Sequence, residues 1–392
     1  MDRSELEALL QPESLRLLST LREEHPSGDP AQLVKALRKS GHSPERVSAV
    51  IRQWSLGHKA ADKFGNFAHR MLFSTVGLEQ STRLTISSHH AARFENNAVS
   101  SLCDLGCGIG GDSLAFAGLS LRVLAVEADP VTAALAAYNL QPFDTVTVEH
   151  ARAEDIDTTP FDALWCDPAR RSGSLRLNNP ADWSPSLEWV ISQARAQPAG
   201  IKLAPGMDRD LIPAEMEAQW ISHHGSVAEM VLWSGILKRP GITRSALVLS
   251  ARGSAELTGS GDAADAPVGV LQDYLVEPDG AVIRARLIGD LARNHAGVML
   301  DESIAYFSAP QPVMTPLAQC FAIEEVVPYN LKRVKDLIAR AHLKSVEIKK
   351  RGIDVDPAAL RKELTLKGSG EKTLILTRAQ GERVAILAHR VS

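Results

Sequence analysis

The sequence predicts an α/β protein: a mostly parallel, doubly wound sheet with an antiparallel last strand, preceded by a helical region and followed by an α+β domain. Three observations carry this. Between residues 96 and 250 short apolar runs alternate with helical ones, the rhythm of a parallel sheet with helices on both faces. The first of these strands runs into a glycine-rich turn, Gly106 to Gly111. Beyond residue 267 a different pattern begins, and its last half is basic.

Residues 1–95 read as helices. Leu6, Leu9 and Leu10, then Leu15, Leu17, Leu18 and Leu21, recur at helical spacing, and Leu33, Val34, Leu37, Val47, Val50, Ile51 and Trp54 continue it. Pro26, Gly28 and Pro30 break the first helices, and Gly41 with Ser43-Pro44 starts the next. A small helical bundle is expected, and covering the active site is the functional role it suggests.

Residues 96–251 change rhythm: VSSLCDL, GGDSLAFAGL, LRVLAVE, DPVTAALAAYNL, TVTVEH and FDALWCD are followed by SPSLEWVISQARA, GIKLA, DLIPAEMEAQWIS, SVAEMVLW and SALVLSA. DLIPAEMEAQWIS takes a helical place in this alternation. SVAEMVLW and SALVLSA, separated only by SGILKRPGITR, read as an antiparallel pair closing the sheet. Residues 252–267, RGSAELTGSGDAADAP, read as a linker, and residues 268–392 as a separate domain.

Composition sets the limits. The chain has 392 residues, 44% hydrophobic and 23% charged, with 43 Lys and Arg against 47 Asp and Glu, a net charge of −4. This is an ordinary globular composition with room for two or three domains. No apolar run reaches transmembrane length, and the acids among the first leucines do not read as a secretory signal. Cys103, Cys107, Cys166 and Cys320 lack CxxC spacing. They read as reduced thiols in a cytoplasmic protein.

The strongest motif is the run from Val99 to Asp112, VSSLCDLGCGIGGD. A strand ends at Asp104-Leu105, turns through Gly106, Gly108, Gly110 and Gly111, and enters a helix whose first N–H groups are unpaired. The next strand ends at Glu127, 21 residues after Gly106, where a carboxylate can accept both ribose hydroxyls. Two cofactors suit this pattern. Gly106, Gly108 and Gly111 satisfy GxGxxG, as in dinucleotide sites. Asp104, however, is matched to an ammonium group better than to a pyrophosphate, and S-adenosyl-L-methionine (SAM) carries an ammonium, a sulfonium and a ribose but no phosphate.

Through DLGCGIGG, VLAVEADP and Cys166-Asp167-Pro168, residues 75–250 resemble the class I SAM-dependent methyltransferases, whose Rossmann-like sheet the resemblance implies here. It further implies that Asp104, Gly106, Gly108 and Gly110 line the methionine side and that Glu127 and Ala128 hold the ribose. An Asp-Ala pair often touches the adenine in this family; here Arg152-Ala153 stands at that place, leaving the Ala153 backbone, with Glu154 or Asp155.

The fourth strand end, FDALWCDPARR, lies where ligands sit in an open parallel sheet. In amino-group methyltransferases an Asp-Pro-Pro-aromatic or Asn-Pro-Pro-aromatic run holds the target there. This chain keeps Asp167-Pro168 but continues Ala169-Arg170-Arg171, so stacking falls to an arginine plane or a loop aromatic such as Trp183. Asp167 and Pro168 would orient the nucleophile, while Arg170 and Arg171 would bind a substrate phosphate or carboxylate. Lys202 ends the fifth strand on the same edge, as a ligand-side lysine or half of a structural ion pair. His89-His90 and His223-His224 lack a second pair at metal spacing, so no metal is expected. GxSxG and Walker A motifs are absent from the sequence.

Through DLGCGIGG, DPARR, EPDGAVIRA and EIKKRG, residues 60–392 are similar to a bacterial family in which a THUMP-like domain follows the methyltransferase domain. Phe64 to Thr82 also resembles the approach segment of trimethylguanosine synthases. The THUMP-like part implies RNA as partner, tRNA or rRNA. From Leu331 onward there are 15 Lys and Arg against 7 Asp and Glu. Lys344, Lys349, Lys350, Arg351, Arg361, Lys362 and Lys367 would supply phosphate contacts. The reading is a SAM-dependent RNA methyltransferase working by direct transfer. Its alternatives are a SAM-binding, RNA-interacting protein without catalysis, and a small-molecule methyltransferase.

Overall fold

Proline at the first turn pre-sets helical φ where no N–H partner is needed, and three of the first four helices begin that way. In the structure, a computed structural model, residues 1–169, 171–172, 175–176 and 179–391 are described, the two middle pairs as backbone only. The chain divides into two units, Met1–Leu203 with Trp233–Leu237, and Ala204–Leu232 with Lys238–Ser392.

The first unit opens with α1 (Arg3–Leu9), α2 (Pro12–Glu24), α3 (Pro30–Lys39), α4 (Pro44–Phe64), α5 (Thr75–Gln80) and α6 (Leu84–Glu95). Asp29 and Ser43 cap α3 and α4 by accepting from Ala31 N at 3.0 Å and Arg46 N at 3.3 Å. Leu9, Leu18, Leu21, Leu33, Leu37, Val47, Val50 and Trp54 are buried, the stripe that the leucine spacing demands.

There follow β1 (Ser101–Leu105), α7 (Gly111–Gly118), β2 (Arg122–Glu127), α8 (Pro130–Leu140), β3 (Val146–His150) and β4 (Ala163–Cys166). After a two-residue pair, β5 (Arg171–Ser172) and β6 (Leu175–Arg176), come α9 (Leu187–Ala196) and β7 (Ala199–Leu203). The spatial order is β7-β4-β1-β2-β3, all parallel. The direction of winding reverses between β1 and β4, so a crevice opens at their carboxyl ends. The core beneath is aromatic: the Trp165 ring lies 5.8 Å from Phe116, 6.0 Å from Trp233 and 6.2 Å from Phe94. Gly200 on β7 makes room for it, since a Cβ there would stand 2.7 Å from both Trp165 and Trp233.

The second unit contains β8 (Glu217–His223), β9 (Ser226–Trp233, its last residue counted with the first unit), β10 (Arg244–Ser250) and β11 (Gly253–Gly259). Their order is β11-β10-β8-β9. Three sequence expectations are corrected here. The run DLIPAEMEAQWIS holds a strand rather than a helix. Glu217 in this strand is fully buried and held by Arg239 at 2.5 Å and Ser245 Oγ at 3.1 Å. SALVLSA does not pair with SVAEMVLW; β10 runs parallel to β8 and antiparallel to β11. The antiparallel neighbour of β10 comes from the expected linker, whose first half is β11 itself.

The unit continues through β12 (Tyr274–Pro278), α10 (Gly280–Arg284), α11 (Ile288–Arg293), β13 (Val298–Asp301), β14 (Ile304–Ala309), β15 (Ala318–Pro328), α12 (Leu331–Arg340), β16 (Leu343–Lys350), α13 (Pro357–Glu363), β17 (Gly370–Ala379) and β18 (Glu382–Arg390). These strands form one sheet, β13-β14-β12-β15-β18-β17-β16. TLILTR explains its two faces by strand alternation: Leu374 and Leu376 pack with Val334, Leu337 and Ile338 of α12. Ile375 joins Leu275, Tyr306 and Phe321 on the other side. Gln380 and Gly381, with φ of 50° and 84°, make the tight turn between β17 and β18.

Candidate active site

The glycine turn is fixed from both sides. Gly106 N and Cys107 N both donate to Val126 O at 3.0 Å, and Asp167 N donates to Leu105 O at 3.1 Å. These bonds lash the ends of β2 and β4 to the end of β1. Gly106, Gly108 and Gly110 have φ of 90°, 57° and 87°, a region costly for residues with a Cβ. At Gly106 the demand is doubled, because a Cβ would lie 2.8 Å from the Asp167 carbonyl oxygen. At Gly108 a Cβ would meet nothing among the described residues within 4 Å, so this backbone is open to close approach.

Two carboxylates flank the turn. Asp104 is buried; its Oδ2 accepts from Ser113 Oγ, and its Oδ1 has no partner among the described residues. Burial pushes this carboxyl well above the usual range, and nearby Asp112 and Asp167 add to the shift. Glu127 accepts from Gly108 N at 3.0 Å and Asp129 N at 2.8 Å, and burial raises its pKa as well. Ala128, beside it, is exposed, and its carbonyl oxygen lies 3.1 Å from His150 Nε2. Ala153 is buried at the start of a short 3₁₀ turn, while Arg152 points outward, 3.4 Å from Glu154.

Asp167 stands at the rim with a third of its side chain exposed, and Lys202 Nζ lies 2.5 Å from its Oδ2. Lys202 also donates to Thr82 Oγ1 at 2.9 Å and lies 3.5 Å from Asp112 Oδ2. Thr82 donates to that same oxygen at 2.9 Å, and His90 Nδ1 lies 3.1 Å from the other. Burial works to raise the Asp112 carboxyl, but Lys202 and His90 outweigh it and hold it well below the usual range. Pro168 is buried, and Ala169 bridges to Ser184 beside the buried Trp183. Arg170 lies outside the described residues, as does the side chain of Arg171.

The helical region reaches this site. Phe64 and Ser81 stand within 3.6 Å of where a Cβ on Gly111 would sit, and Gly77 lies against Ile109. Asn139 of α8 exchanges bonds with Leu72 and also donates to Ile109 O at 2.9 Å. Lys63 donates to the carbonyls of Leu78, Glu79 and Ser81 at 2.7–2.8 Å. Burial, with Arg83 and Lys202 nearby, brings the Lys63 ammonium down to about 8.

The expected residues Asp104, Gly106, Gly108, Gly110, Glu127 and Asp167 therefore meet at the β1–β4 crevice. Thr82, His90 and Asp112 were missed. Asp112 closes the glycine motif and could have been found there, whereas Thr82, in the loop between α5 and α6, and His90, on α6, lie far away in sequence with no pattern to mark them. Among the described residues no cluster of three His, Cys, Asp or Glu side chains could hold a metal. No helix of the described residues is long and apolar enough to cross a membrane.

SAM fits these groups. The orphaned, buried Asp104 oxygen matches its ammonium, the bare Gly108 backbone allows close approach, and the half-buried Glu127 matches its ribose.

Comparison with known proteins agrees. Residues 318–390 match a family model described as THUMP domain-like, and residues 2–60 a domain of unknown function. A crystal structure described as that of a methyltransferase from Porphyromonas gingivalis W83 superimposes over 98% of this chain and all of its own, with a TM-score of 0.78 at 20% identity, a likeness of fold. An uncharacterized S-adenosylmethionine-dependent methyltransferase of Mycobacterium tuberculosis, present in strains H37Rv and CDC 1551, is 31% identical over 343 residues, 85% of this chain and 93% of its own length. With that identity over nearly the whole length of the relative, the chain belongs to the S-adenosylmethionine-dependent methyltransferases.

Proposed function

We propose that this methyltransferase acts on RNA, transferring the methyl directly to a nucleophile oriented by Asp167. The observation that carries the reading is the placement of Asp167 at the rim, its backbone against Gly106 and its carboxylate on Lys202. Asp104 would hold the ammonium of SAM, Gly106, Gly108 and Gly110 would line its methionine arm, and Glu127 with Ala128 would hold the ribose. Ala153 would border the adenine. Bound SAM supplies a methyl already activated on a sulfonium, so the protein's work is alignment, worth about 7–11 kcal/mol.

Asp167 accepts a hydrogen of the attacking amine or hydroxyl and so aims its lone pair. Pro168 stiffens the chain that carries it, and Arg170 and Arg171 would bind a phosphate next to the target. Burial raises the thiols of Cys103, Cys107 and Cys166 far above neutrality, which supports direct transfer over attack by a cysteine thiolate.

RNA is supported by the THUMP-like match and by the cations on the same segment. Lys344, Lys350, Arg361, Lys362 and Lys367 are exposed. Lys349 is turned instead toward Glu277 at 2.6 Å, and Arg351 lies over the Tyr306 ring at 5.0 Å. Mass spectrometry of nucleosides from wild-type and deletion cells tests the proposal. One methylated nucleoside missing from the deletion strain is expected; an unchanged tRNA and rRNA profile would refute it.

A further inference from the structure

We infer that Lys202 is a positioning residue for methyl transfer: it holds Asp167 as an ionised, aimed acceptor at the rim, anchored in turn by Thr82 and Asp112. The inference rests on the reading of Asp167 as the group that meets the nucleophile.

The geometry is directional. An ammonium has three N–H bonds, and among the described residues Asp167 Oδ2 at 2.5 Å, Thr82 Oγ1 at 2.9 Å and Asp112 Oδ2 at 3.5 Å lie in reach of Lys202. Thr82 gives its own hydrogen to Asp112, so its oxygen has only lone pairs to offer Lys202. Asp112 is fixed on its other oxygen by His90. The Asp112 and Lys202 side chains are 8% and 11% exposed, that of Asp167 34%. The inner two contacts thus tether the ammonium, and the outer one points it at the rim.

Lys202 brings a positive charge to this cluster of carboxyls. Asp104 from β1, Asp112 from α7 and Asp167 from the end of β4 crowd one crevice. Lys202 contacts two of the three, His90 contacts Asp112, and Lys63 and Arg83 stand farther back. Without the ammonium, Asp167 would face two carboxylates in a half-buried place and would hold a proton to higher pH. A protonated carboxyl can still accept a hydrogen bond through its carbonyl oxygen, but it can no longer take the proton of an incoming N–H or O–H. In the step itself the nucleophile's lone pair takes the methyl and the carbon–sulfur electron pair leaves with sulfur. The nucleophile's proton passes to Asp167 and then to water.

The test is a titration of the Asp167 carboxyl by ¹³C NMR in the full-length protein, assigned with Asp167→Asn and needing no cofactor. Lys202→Met is expected to raise the midpoint by about 1–3 pH units, Lys202→Arg to restore it, and Thr82→Val to raise it by less. The acid limb of methyl transfer should move with it. Should Lys202→Met fail to fold, Thr82→Val and Lys202→Gln carry the same test. An Asp167 midpoint unmoved in the Lys202 variants overturns the inference. Full activity in Asp167→Ala would instead sink the reading of Asp167 beneath it, and the titration distinguishes the two.

Discussion

The Asp167 carbonyl oxygen sits where a Cβ on Gly106 would come within 2.8 Å of it. The strand end that carries the cofactor turn and the one that carries the rim carboxylate are therefore packed backbone to backbone. Gly106→Ala adds that clash to a φ of 90°. A loss of about 2 kcal/mol or more is expected, read as a fall of several degrees in thermal midpoint. Weaker binding of S-adenosylhomocysteine in calorimetry should accompany it, because Gly106 is proposed to line the methionine arm of the cofactor.

Asp104→Asn should separate binding from stability. Losing the charge proposed to face the ammonium of the cofactor is expected to weaken S-adenosylhomocysteine by about 10–100-fold, the worth of a charged hydrogen bond. Apo stability responds in the opposite sense. Burial raises the Asp104 carboxyl in the folded state, so the folded chain binds the extra proton and loses stability as pH rises from about 4 through the raised value. Wild type minus Asp104→Asn, followed by thermal unfolding across pH 4–8, should show that falling slope; a flat difference would contradict it.

Gly200→Ala tests the aromatic core under the site. Its Cβ would press on Trp165 and Trp233 at 2.7 Å, and overpacking of this kind typically costs about 1–3 kcal/mol. A lower urea midpoint at unchanged slope is expected, along with an altered tryptophan fluorescence spectrum.

On the second unit, replacing Lys344, Lys350, Arg361 and Lys362 with Gln should weaken RNA binding and flatten its salt dependence. Each lost phosphate contact lowers the slope of log K against log salt by about 0.7–0.9. An unchanged slope in a filter-binding series would remove these residues from the interface.

Much of this was legible in the sequence, for definite physical reasons. Leucine spacing fixes which side of a helix is buried, so α1 to α4 follow from Leu6 to Trp54. The glycine turn is legible because positive φ selects glycine, and TLILTR shows its two faces by alternation. The strand β8 was not legible, because its run takes a helical place in the alternation and its charged Glu217 lies in the core on Arg239 and Ser245. Strand β11 hid in a run of small residues that looked like a linker. In the site, Asp104 and Glu127 announce themselves through strand ends beside glycines. Thr82 and His90 do not, since their roles come from contacts with Asp112 across 30 and 22 residues of chain. Lys202 was ambiguous until its three acceptors could be seen together.

The most direct measurement is transfer of labelled methyl from SAM into deproteinised RNA from cells lacking the protein, with wild type and Asp167→Ala compared at saturating cofactor. Label in one nucleoside with wild type, and none with an Asp167→Ala variant that still binds S-adenosylhomocysteine, is the expected result. Label that survives complete RNase digestion as a small molecule or protein adduct, or equal incorporation by Asp167→Ala, would contradict the assignment of an RNA nucleophile to this rim.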